Sequence, residues 1–108
     1  MSEGAFEEVT VLWEEHQHIP FPSLGDRDLF ADLVMADDGA TGVVNWYVRN
    51  DGGVVSAQLR RQLGSSVREL RRIRRRVRTR EGKLYVDRLL RMAGLILGRG
   101  AADERYKR

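Results

Sequence analysis

QLRRQLGSSVRELRRIRRRV, Gln58 to Val77, is the stretch whose reading decides the fold. Leu59, Leu63, Val67, Leu70, Ile73 and Val77 recur at an average step of about 3.6 residues, the period of an α-helix. One amphipathic helix is therefore expected from about Ser56 to Val77. On a wheel of ~100° per residue, Arg61, Arg68, Arg72 and Arg75 fall nearly opposite the apolar arc and form a solvent-facing stripe. Arg60, Arg71 and Arg78 lie on one flank, in reach of acids on a neighbouring helix, and Arg74 lies at the edge of the apolar arc.

The flanking sequence repeats the same pattern. Residues 4 to 18 place Ala5, Phe6, Val9, Leu12, Trp13 and His16 on one face with Glu7, Glu8, Glu14 and Glu15 away from it, and Ser2 offers a cap. IPFPSLG ends that helix, because Pro20 and Pro22 bias the residues before them toward extended backbone. After an acidic cap at Asp26 or Asp28, a second helix runs from about Leu29 to Asn50, its face built from Leu29, Phe30, Leu33, Ala36, Ala40, Val44, Tyr47 and Val48. NDGG stops it. A last helix, about Glu81 to Leu97, carries a broad face of Tyr85, Val86, Leu89, Leu90, Met92, Ala93, Ile96 and Leu97, wide enough for two neighbours. Four such helices with short connections predict an all-α fold, an antiparallel four-helix bundle forming one small domain over residues 1–98. Residues 99–108, small, polar and charged, read as a flexible tail.

Composition narrows the class. The 108 residues suit a single core, and the lack of cysteine removes disulfides, thiolate metal sites and cysteine nucleophiles, which fits a reducing cytoplasm. The acidic N-terminus, MSEGAFEEV, has no signal-peptide character, and LLRMAGLILG, interrupted by Arg91, falls short of the ~20 residues of a membrane span. The net charge of +3 conceals an asymmetry: residues 1–53 hold eleven acids against two arginines, and the rest holds seventeen basic residues against five acids. That balance predicts that the acidic half neutralises much of the basic half internally.

Several positions carry candidate chemistry. His16 and His18 in EEHQH invite a metal site, but two-residue spacing sends them to different faces of a helix, so no metal, cofactor or catalytic residue is assigned. Asp37 falls within the apolar face of the second helix, where a carboxylate needs a partner; Arg74, the arginine nearest the core, is the expected one, or else a backbone or hydroxyl group. Met35 and Trp46 are expected to point outward around Gly39 and Gly42, making a patch suited to another helix or a second copy of the chain.

The arginine helix resembles a helix-turn-helix in its Leu59, Leu63, Gly64, Leu70 and Ile73, although Arg60 and Ser65 depart from that pattern and the period runs unbroken through Gly64. Over residues 9–98, LWEEHQHIPFP, DLVMADDGATGVVNWYVRNDGG and the two helices that follow look like small helical proteins of high-GC actinobacteria, which implies one small domain and no particular activity. The expectation is a non-enzymatic cytoplasmic bundle acting through a protein partner, first of all as a homodimer through the second helix. The alternative is a nucleic-acid-binding or transcription-regulating protein using Arg61, Arg68, Arg72 and Arg75. No membrane role is expected.

Overall fold

A computed structural model describes the backbone of residues 2–98 and the side chains of residues 4–98. The expected cap at Ser2 and tail at 99–108 thus lie outside the described side chains and residues. Four helices follow one another: α1 (Ser2–His18), α2 (Arg27–Arg49), α3 (Ala57–Arg76) and α4 (Arg80–Leu97). Among the described residues there is no strand, and no helix is long and apolar enough to cross a membrane.

Local chemistry sets the helix starts. Asp26, Ser56 and Thr79, each in extended backbone, accept the amide N–H three residues on at 3.1 Å, so α2, α3 and α4 begin on side-chain caps. After α2 the chain reverses through Asp51 and Gly52, both at positive φ. Gly52 also lies under Phe6, where an added Cβ would come within 3.0 Å of the ring. The turn therefore presses α1 onto the end of α2. α3 continues through Gly64 without a turn, so the helix-turn-helix resemblance does not describe the fold.

Contacts between elements define the topology. Glu8 meets Arg91 and His16 meets Arg88, so α1 runs antiparallel to α4. Phe6 against Tyr47 and His16 against Asp37 make α1 antiparallel to α2. Gln62 reaches the Gly39 carbonyl while Arg76 faces Asp26 and Asp32, so α3 is antiparallel to α2. Arg60 on the Leu97 carbonyl and Arg74 on Asp87 do the same for α3 and α4. The result is an antiparallel bundle in which α2 and α4 touch across the diagonal and α1 and α3, on opposite corners, do not meet.

One core fills the centre. Leu29, Leu33, Val43 and Val44 of α2, Leu63, Leu70 and Ile73 of α3, and Val86, Leu89 and Met92 of α4 are buried, with Val9 as the fully buried residue of α1. The expected seam of α3 is the buried one, apart from half-buried Leu59. Phe30 departs from expectation: it is 49% exposed, since it sits about 100° from the centre of the buried arc and packs edge-on against Phe21 of the α1–α2 loop.

The α3–α4 corner depends on Gly82. A Cβ there would fall 2.6 Å from a Val77 methyl, 2.7 Å from the capping hydroxyl of Thr79 and 2.9 Å from a Leu24 methyl. Helix propensity alone would make Gly82→Ala stabilising by about 1 kcal/mol. Overpacking in this three-sided pocket outweighs that gain, and the substitution is expected to destabilise by about 1–3 kcal/mol in urea unfolding. A midpoint equal to or above the wild type would contradict it.

Candidate functional site

α3 builds the most distinctive surface of the molecule. It contains eight arginines and one glutamate, and its apolar seam leaves them no place but the flanks and the outer face. On the α2 side, Arg76 lies 3.7 Å from Asp26 and 3.9 Å from Asp32. On the α4 side, Arg74 grips both oxygens of Asp87, which raises the guanidinium pKa and, by the same hydrogen bond, holds the Asp87 carboxyl below its ordinary range. Arg60 donates to the Leu97 carbonyl at 3.1 Å, a hydrogen bond to the C-terminal end of α4.

The outer stripe is where expected: Arg61, Arg68, Arg72 and Arg75 are exposed. Arg72 pairs with Glu69 of its own helix at 3.1 Å. Arg61, Arg68 and Arg75 reach no carboxylate among the described residues, and neither do the exposed Arg71 and Arg78, which were expected to find acids on a neighbouring helix. Internal neutralisation is thus partial. Its physical reason is topological: the acids of α1 sit on the opposite corner.

The second constellation joins α1, α2 and α4. His16 is 6% exposed, and its Nδ1 accepts from Arg88 Nε at 3.2 Å. A guanidinium only donates, so the ring carries its proton on Nε2, which faces Asp37 Oδ1 at 3.4 Å. Tyr85 donates its hydroxyl to the other Asp37 oxygen at 3.2 Å. Trp13 stacks near His16, Phe21 meets the edge of Tyr85, and Arg88 lies over the Tyr85 ring. Burial foremost, and then the Asp37 charge and hydrogen bond, push the Tyr85 phenol well above its ordinary value, with Arg88 opposing.

The expected Asp37–Arg74 pair is therefore corrected. Asp37 turns toward α1 and α4 and takes His16 and Tyr85, whereas Arg74 lies on the α4 flank of α3 and takes Asp87. Every buried side-chain nitrogen and oxygen among the described residues has a partner, so this cluster is a closed polar knot. His18 is exposed and holds the Glu14 carbonyl at 2.8 Å, on a different face from His16.

The expected α2 patch also changes shape. Met35 is 77% exposed, but Gly39 faces α3, where a Cβ would meet Ser66 Oγ at 2.6 Å, and Gly42 lies beside Gln62. Trp46 is half-buried against the core, its ring beside Gly53. Gly39 serves the close approach of α2 and α3 inside one chain, whereas Gly42 stays exposed and an added Cβ there would only touch the end of Gln62 at 3.8 Å. The Ser66 hydroxyl, buried against Gly39, is the residue the sequence reading missed; the paired small residues SS after Gly64 were its only signal.

Comparison with family models, with curated proteins and with solved structures finds no match to the chain.

Two outcomes test the knot. In double-mutant cycles, Asp37→Ala should cost about 1–3 kcal/mol and couple to His16→Ala. Asp37→Ala and Arg74→Ala should instead add within about 0.5 kcal/mol, and strong coupling between them would restore the discarded pair. The raised Tyr85 pKa means that the folded state keeps a proton the unfolded chain gives up near its ordinary value of about 10. Its stabilising contribution is complete below that pH and is lost as pH rises beyond it. Tyr85→Phe should flatten the alkaline decline of stability, leaving the smaller part due to Tyr47, whose pKa burial also raises.

Proposed function

We propose that the protein is a non-catalytic binding module whose working surface is the outer face of α3 and whose partner is the phosphate backbone of nucleic acid. The observation that carries this reading is Arg61, Arg68 and Arg75 of the outer stripe together with Arg71 on its flank, all exposed and without a carboxylate among the described residues, on a helix that lies farthest from the acidic α1. Like charges along one exposed face repel each other, so the face is relieved when a polyanion supplies the missing counter-charge. Arginine is the suitable residue, because its fork makes bidentate contacts to phosphate oxygens and stays charged throughout.

The arrangement favours backbone contact over base reading. Arg61 and Arg75 are separated by fourteen residues, ~21 Å along the helix, so the stripe follows a run of charges. Phosphate contacts set affinity and register but carry little sequence information. Binding with little preference among duplex sequences is expected.

Fluorescence anisotropy with a duplex across a salt series tests the proposal. Four phosphate contacts predict that log affinity falls with log salt at a slope of about −3 to −4. Replacing Arg61, Arg68 and Arg75 together by Gln should reduce that slope to about −1 while the helical circular dichroism stays unchanged. Lack of binding by the wild type at low salt would remove the nucleic-acid reading.

A further inference from the structure

α1 and α3 are complementary in charge and lie on opposite corners of the same molecule. α1 carries no arginine or lysine. Of its glutamates, Glu8 is engaged with Arg91 at 2.8 Å, whereas exposed Glu7, Glu14 and Glu15 reach no basic side chain among the described residues. Glu7, Glu14 and Glu15 on α1 and Arg61, Arg68 and Arg75 on α3 are thus left without counter-charges among the described residues, Arg72 being held by Glu69, and neither row can reach the other within one chain.

The two rows also match in spacing. Glu7 and Glu14 are seven residues apart, as are Arg61 and Arg68, and Arg68 and Arg75, each pair ~10.5 Å along its helix. Between the two glutamates stands Val11, 57% exposed, an apolar knob on an otherwise acidic face. Between Arg61 and Arg68 stand Gly64 and Ser65, the two small residues of the stripe, and a Cβ built on Gly64 meets nothing nearer than the end of Arg68 at 3.9 Å. A helix bearing Val11 therefore finds a shallow hollow flanked by the two arginines that match its glutamates.

We propose that the α3 stripe also accepts α1 of a second copy of this chain, antiparallel, with Glu7 beside Arg68, Glu14 beside Arg61 and Val11 over Gly64 and Ser65. Antiparallel docking opposes the helix dipoles favourably and brings His18 next to Ala57; the parallel arrangement would set His18 against Arg72. The contact uses different surfaces on the two copies. Because those surfaces occupy opposite corners, a pair cannot close on itself, and association is head-to-tail, running past the dimer into open chains or into rings of more than two copies. The proposal rests on reading the stripe as a docking surface and adds its regulation: nucleic acid and the neighbouring copy compete for the same arginines.

Multi-angle light scattering over a concentration series, with no nucleic acid present, tests it. At low salt the wild-type mass should rise continuously past ~2-fold the one-chain value without a plateau at the dimer, and return to one chain near 0.5 M salt, where the Debye length is only about 4 Å. Glu7→Arg with Glu14→Arg should stay monomeric yet still bind duplex DNA. Arg61→Glu with Arg68→Glu should stay monomeric as well, and mixing these two charge-reversed proteins should restore association. Gly64→Leu keeps every charge and fills the hollow, so it should weaken association while leaving the fold intact. Duplex DNA should dissolve the wild-type assembly.

A wild type that remains one chain at every concentration overturns the proposal and leaves the nucleic-acid reading standing. Association that survives the α1 reversal but disappears in Trp46→Glu overturns it in favour of a dimer through α2. Assembly that persists unchanged when duplex DNA is bound overturns the competition.

Discussion

The diagonal contact between α2 and α4 is the constraint on which the rest of the molecule depends. Both helices carry apolar faces too broad for one neighbour: Leu29, Leu33, Ala36, Ala40, Val43, Val44 and Tyr47 on α2, and Tyr85, Val86, Leu89, Met92, Ala93 and Ile96 on α4. Burying faces of that width takes more than one neighbour, so these two helices each pack against all three others and meet across the diagonal. Narrower faces on α1 and α3 then fill the two remaining corners. Once that is settled, the most acidic and the most basic helices stand as far apart as the bundle allows.

Charge has a secondary part in holding the fold. Arg74–Asp87, Arg76 with Asp26 and Asp32, and Arg91–Glu8 clip neighbouring helices together at half-exposed sites, where water screens each pair to about 1 kcal/mol or less. The outer arginines contribute even less to folding, since they touch no acid on another helix. A surface that folding does not require, and that accumulates like charge at some cost, is the physical basis for assigning it to a partner.

The interior polar knot follows a different logic. His16, Asp37, Tyr85 and Arg88 come from three helices and complete one another's hydrogen bonds, the guanidinium fixing the tautomer that lets the imidazole face the carboxylate. Removing one member leaves others desolvated and unpaired, which makes the knot a device for setting the register of α1 against α2 and α4. Its closure also explains why two histidines and several carboxylates near one helix end do not form an open site.

Much of this was legible in the chain. The α3 seam, the acidic cap of α2 at Asp26 and the outward stripe follow from the 3.6-residue period and from side chains that cap locally, properties that depend on neighbours a few positions away. His16 belonged visibly to an apolar face, and Asp37 visibly needed a partner. The identity of the partner was not legible, because His16 and Tyr85 come from α1 and α4 and local periodicity does not say which helices pack beside Asp37. In the same way Gly39 and Gly42 read as an outward gap, although α3 fills it with Ser66 and Gln62. By itself the sequence determined four helices and the side of each that faces the core, since these are matters of local periodicity. Only the tertiary structure decided which corners α1 and α3 occupy, and with that which charges are satisfied and which are left facing water, because that choice is made by the width of apolar faces on the other two helices.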